Sequence, residues 1–64
     1  MANFYRDLTK LLADAGFSHF RSAKGDHEIW LNHASGHKVI VDAGIKSRHT
    51  ANEILKKAGL PKAF

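Results

Sequence analysis

HEIWLNHASGHKVIVD, running from His27 to Asp42, is the stretch whose reading decides the fold. Residues 27 to 33 and 37 to 42 alternate side-chain character at the period of a β-strand. Ala34-Ser35-Gly36 between them is a short connection with glycine where a reversal calls for a positive φ. Two strands joined as a β-hairpin are the expectation. Alternation puts Ile29 and Leu31 on one face of the first strand and Trp30 on the other, and separates Val39 and Val41 from Ile40 in the second. Both faces of the sheet therefore carry apolar surface.

Upstream of the hairpin, Phe17 to Arg21 is short and rich in aromatics and reads as a further strand, followed by the turn Ser22-Ala23-Lys24-Gly25-Asp26. Phe4, Leu8, Leu11, Leu12 and Ala15 recur at helical spacing, which predicts a helix over 4–15 with Asn3 as N-cap and Gly16 as its stop. Downstream, Asp42-Ala43-Gly44 ends the sheet, and the basic connection Lys46-Ser47-Arg48-His49 leads into a second helix. Thr50 and Glu53 stand at capping-box spacing at its start, Ala51, Ile54, Leu55 and Ala58 form its apolar stripe, and Gly59 with Pro61 ends it. The order α-β-β-β-α predicts an α+β fold: a two-layer sandwich of a three-stranded antiparallel sheet with two helices on one face, in a single domain covering residues 1–64.

A chain of 64 residues buries only about 60% of its unfolded surface, so one thin core is all it can build. Ten Lys and Arg against six Asp and Glu give a formal charge of +4 and a pI near 9.8, which favours an acidic partner: nucleic acid, an anionic membrane or an acidic protein. Cysteine is absent, which removes disulfide frameworks and thiolate zinc sites and makes a small secreted scaffold a poor fit. No N-terminal apolar segment of signal-peptide type is present, and no run approaches the ~20 residues that span a bilayer. A soluble, cytoplasmic protein is the expectation.

Lys24-Gly25-Asp26-His27-Glu28-Ile29-Trp30 carries the chemistry, because a basic, glycine-containing turn delivers a histidine to a strand mouth. Imidazole, with an unperturbed pKa of about 6.5, both donates and accepts protons near neutrality, and a neighbouring ammonium attracts phosphate. The pairing suggests phosphodiester chemistry.

With that order in hand, the chain resembles the HicA family of bacterial toxins, small messenger-RNA interferases with a fold like the double-stranded-RNA-binding domain. The likeness spans almost the full chain. It rests on Asp7-Leu8-Thr9-Lys10-Leu11-Leu12 followed by Ala15-Gly16-Phe17, on Lys24-Gly25-Asp26-His27-Glu28-Ile29-Trp30, and on Glu53-Ile54-Leu55-Lys56-Lys57-Ala58-Gly59-Leu60. In the family pattern a glycine, a small residue and a histidine precede an aromatic, and His27 matches the histidine held to be catalytic. Asp26 replaces the small residue, and Trp30 stands where tyrosine is usual. A carboxylate beside His27 either repels a scissile phosphate or orients the imidazole and raises its pKa.

The resemblance implies a type II toxin-antitoxin toxin: a metal-independent endoribonuclease that cleaves mRNA, with no cofactor, neutralised by an acidic HicB-type antitoxin. RNA supplies its own 2′-hydroxyl nucleophile, so such an enzyme must move protons and stabilise a crowded phosphorane. His27 is read as general base or acid, Lys24 as electrostatic stabiliser, and Gly25 as the residue that lets RNA approach closely. His49, beside the second helix's N-terminus, is a candidate for the second proton transfer, and Lys46 and Arg48 with Lys24 are the RNA-binding candidates. Trp30 and Ile40, with Phe20, are expected on the helix-free sheet face as an antitoxin-docking surface. His33 and His37 flank the hairpin turn, but structural zinc wants four ligands, so no metal is expected. A non-catalytic RNA-binding module and a pure protein-interaction domain are the alternatives.

Overall fold

A computed structural model describes residues 4–64, so the expected Asn3 cap lies outside the described residues. The elements are α1 (Tyr5–Asp14), β1 (Phe17–Ser22), β2 (His27–Asn32), β3 (His37–Asp42) and α2 (Arg48–Lys57). The strands form one antiparallel sheet in the order β1-β2-β3. This is the α+β order expected from the alternation and helical spacing.

Both helices cover the same sheet face, α1 over β1 and α2 over β3, and they touch each other. Leu8 and Leu12 of α1, Ala51, Ile54 and Leu55 of α2, and Phe17, Val39 and Val41 of the sheet are buried together with Ile45 and Ala58. Removing that apolar surface from water drives the assembly, at about 25 cal/mol per Å². Gly16 makes the α1–β1 corner possible. Its φ is +98°, and a Cβ there would lie 3.2 Å from Nδ2 of Asn32, whose amide donates to the Ala15 carbonyl at 3.3 Å.

The hairpin turn covers 33–36, because β2 ends at Asn32 rather than at His33. Asn32 is recruited into the turn: its Oδ1 accepts the backbone N–H groups of Ala34 and Ser35 at 3.0 and 3.2 Å. Gly36, at φ +76°, closes the turn by donating to the Asn32 carbonyl at 2.7 Å.

α2 begins earlier than the Thr50–Glu53 capping box predicts. Ser47 is the N-cap, extended at φ −112° and ψ 130°, and its Oγ accepts the His49 N–H at 3.2 Å. Serine offers the same capping chemistry as threonine, and starting there adds helical residues while Ala51, Ile54 and Leu55 still face the core. The far end closes through Gly59 and Leu60, whose N–H groups reach the Lys56 and Leu55 carbonyls at 3.0 and 2.8 Å. The chain then returns over α2, where Asn52 holds the backbone of Ala63 and Phe64 and the Phe64 ring meets Phe4 edge-on at 5.3 Å. Among the described residues no helix is long and apolar enough to cross a membrane.

Candidate active site

The turn between β1 and β2 is built to present His27. Ala23 donates to the His27 carbonyl at 2.7 Å, and Gly25, at φ +69°, takes a conformation that L side chains rarely adopt. Its missing Cβ faces open space, with nothing within 4 Å. Asp26 ties the turn to the β3–α2 loop through its carbonyl, which accepts the Ala43 N–H at 2.8 Å.

His27 is exposed, and its Nδ1 lies 3.1 Å from the Lys24 carbonyl oxygen. A carbonyl only accepts hydrogen bonds, so Nδ1 carries the proton in that contact. The neutral ring then presents a bare Nε2 lone pair, the form in which imidazole acts as a base. Lys24 therefore contributes its backbone as the orienting group as well as an exposed ammonium on the same turn. Nδ1 meets the Lys24 carbonyl rather than Asp26, whose Oδ2 lies 3.8 Å from where a Gly44 Cβ would stand, on the side of Asp42, whose Oδ1 accepts the Gly44 N–H at 2.8 Å.

Asp42 is the register partner of His27, so the β3–α2 loop leaves the sheet at the end where His27 enters it. That brings exposed Lys46, and Arg48 as the first residue of α2, to the His27 end of the fold. His49 follows Arg48 in the first turn of α2. It lines a groove with Asn52, Glu53, Lys56, Leu60 and Lys62, and among the described residues no hydrogen bond or ion pair connects its ring to His27. His37 packs its ring against Phe17 at 5.9 Å, and no group of three or more His, Cys, Asp or Glu among the described residues is arranged to hold a metal ion.

Trp30 and Ile40 do not share a face, contrary to expectation. Trp30 is paired with Val39 and packs half-buried against the core, whereas Ile40 is paired with Ile29 on the helix-free face and is 60% exposed. The reason is Glu28. Its carboxylate faces the helices, where Oε1 accepts the Tyr5 hydroxyl at 2.7 Å and the Trp30 indole N–H at 3.1 Å. His19 Nε2 stands 4.0 Å from Oε2, and the His19 ring meets Trp30 edge-on at 5.9 Å. The hydrogen bond to Glu28, helped by burial and by the carboxylate's charge, pushes the Tyr5 phenol up to about 12. Sequence reading missed this cluster, and its one signal was a glutamate on the same strand face as a tryptophan.

Comparison with family models, curated proteins and solved structures returned no match.

Proposed function

We propose that this protein is a HicA-like toxin: a metal-independent endoribonuclease, or mRNA interferase, of the cytoplasm, held inactive by an acidic HicB-type antitoxin. The observation that supports the reading most is the bond between His27 Nδ1 and the Lys24 carbonyl, which leaves Nε2 bare on an exposed basic turn. Nε2 takes the 2′-hydroxyl proton as the 2′-oxygen bonds to phosphorus, the bond from phosphorus to the 5′-oxygen breaks, and the departing oxygen receives a proton from imidazolium or water. The products are a 2′,3′-cyclic phosphate and a 5′-hydroxyl. Lys24, Lys46 and Arg48 supply positive charge at this end of the fold for the phosphate backbone. The net charge of +4 supports an acidic inhibitor covering the turn, and of the two expected apolar anchors only Ile40 is strongly exposed.

A non-catalytic RNA-binding module is the second reading. It is favoured by the exposed Asp26 carboxylate, which stands next to His27 on the same turn and would repel a scissile phosphate. Incubating the wild-type and His27→Ala chains with RNA in excess EDTA separates the two. Cleavage by the wild type alone, leaving cyclic phosphate ends, supports the nuclease; binding without cleavage by either chain supports the module.

A further inference from the structure

The sheet face opposite the helices carries, alongside His27, side chains that the proposed cleavage does not use. Alternation from the buried Val39 and Val41 places Lys38, Ile40 and Asp42 of β3 on this outer face, and the register adds their β2 partners Leu31, Ile29 and His27. The proposed catalytic ring therefore stands at one end of an open floor formed by Ile29, Leu31 and Ile40.

β1 is irregular at the point where it borders that floor. Its pairing runs Ser18 to Leu31 and His19 to Trp30, then shifts so that Arg21 faces Ile29. Phe20 is the extra residue of a β-bulge, a device that sets two side chains of one strand against one of its neighbour. The result is that two consecutive residues, Phe20 and Arg21, both border the floor's edge, with Phe20 48% exposed. Lys38 reaches the Phe20 ring from β3, its Nζ 5.8 Å from the ring centroid. Asp42 is the one carboxylate that the register places on this face among the described residues, and its Oδ1 is engaged by Gly44.

We infer that this face is a track for single-stranded RNA, with Phe20 as the platform on which a base stacks and Arg21 and Lys38 as its phosphate contacts, leading the strand to His27. An aromatic flanked by two cations over an apolar floor matches the unpaired base faces and backbone charge of a single strand. A duplex hides its base faces and presents phosphates to a surface whose centre is apolar. The bulge at Phe20 lies at the level of Ile29, two strand residues or about 7 Å from His27, so the stacked base and the reacting phosphate belong to one short segment. This inference rests on the ribonuclease reading for its substrate, and a partner protein that covered Ile40 would compete with it.

The test uses the full chain and a fluorescein-labelled 12-nucleotide single strand of 2′-O-methyl RNA, which lacks the attacking hydroxyl and so reports binding without cleavage. Phe20→Ala is expected to weaken binding about tenfold while Phe20→Tyr retains it, and Arg21→Ala with Lys38→Ala is expected to flatten the salt dependence by about 1.4 in log–log slope. Trp30, on the other face, reports folding of each variant by fluorescence. Should Phe20→Ala unfold, Ile40→Glu places a carboxylate on the same track and is expected to weaken binding similarly. Wild-type affinity in folded Phe20→Ala and Ile40→Glu chains, or tighter binding to a blunt duplex of the same sequence, would overturn the track. If native RNA is nevertheless cleaved in EDTA by a His27-dependent activity, the nuclease survives that failure. If the single strand binds in a Phe20-dependent manner and is never cut in native form, the track stands and the nuclease falls.

Discussion

Trp30 donates its indole N–H to Oε1 of Glu28, two residues back on the same face of β2, at 3.1 Å. Tyr5 donates to the same oxygen from α1, so one carboxylate joins helix to sheet at a partly buried seam. A carboxylate that faces a core is tolerated only when its oxygens are satisfied. Tyr5→Phe removes one donor and is expected to cost about 1 to 2 kcal/mol at pH 8. The pH dependence has a definite sign. The phenol's folded pKa, about 12, lies above its ordinary value of 10.0, so its contribution is complete below pH 10 and is lost as pH rises through 12. Urea unfolding should show the wild-type advantage over Tyr5→Phe shrinking across that window. As the chain has one tyrosine, its phenolate absorbance titrates the same group directly. A midpoint near 10 would remove the Glu28 bond from the account.

The same cluster marks where the sequence is legible and where it is not. Val39 and Val41 announce their face because α2 and Ile45 must be covered by something apolar, and the glycines at 16, 36 and 59 mark turns or helix ends by local backbone chemistry. Residues 28 to 31 defeat that logic. Ile29 and Leu31 look like an inward pair, yet Glu28 and Trp30 face the helices, because Tyr5, 23 residues away, supplies the missing hydrogen bond. No local pattern contains that contact. The orientation of His27 is equally hidden, since its partner is a backbone carbonyl, which every residue possesses.

The position of the α2 cap leads to a simple stability comparison. Ser47 Oγ caps the helix, and Thr50 lies inside its first turn. Ser47→Ala is expected to cost about 1 kcal/mol, whereas Thr50→Ala is expected to change stability by less than about 0.5 kcal/mol. Thermal or denaturant unfolding of the two variants ranks them. A larger loss from Thr50→Ala would return the helix start to the capping box.

Gly25 separates backbone conformation from packing. Because its φ is +69° and nothing lies near its Cβ position, Gly25→Ala should strain the backbone by about 1 to 2 kcal/mol without a clash. The turn should relax toward negative φ and draw the Lys24 carbonyl away from His27 Nδ1, lowering RNA cleavage more than stability alone explains. A D-alanine at this position, introduced by chemical synthesis of the 64-residue chain, favours positive φ and should restore both. Loss of stability with undiminished cleavage per folded molecule would show that the turn does not aim the ring.

Lys46 and Arg48 test whether the helix-start region belongs to the RNA path. Both lie at the His27 end of the sheet, because β3 ends at Asp42, the register partner of His27, and the chain passes directly into α2. Each phosphate contact to a single strand contributes about 0.7 to the slope of log affinity against log salt, so removing both side chains should flatten it by about 1.4. Neither substitution touches the core, and folding should be unchanged. Arg48 occupies the first position of α2, where a positive charge opposes the helix dipole, so its loss should, if anything, stabilise the helix slightly. Weaker RNA binding in a chain that is no less stable is therefore attributable to lost phosphate contacts. An unchanged slope in the double variant, measured beside a flattened one for Arg21→Ala with Lys38→Ala, would put the RNA on the sheet face alone.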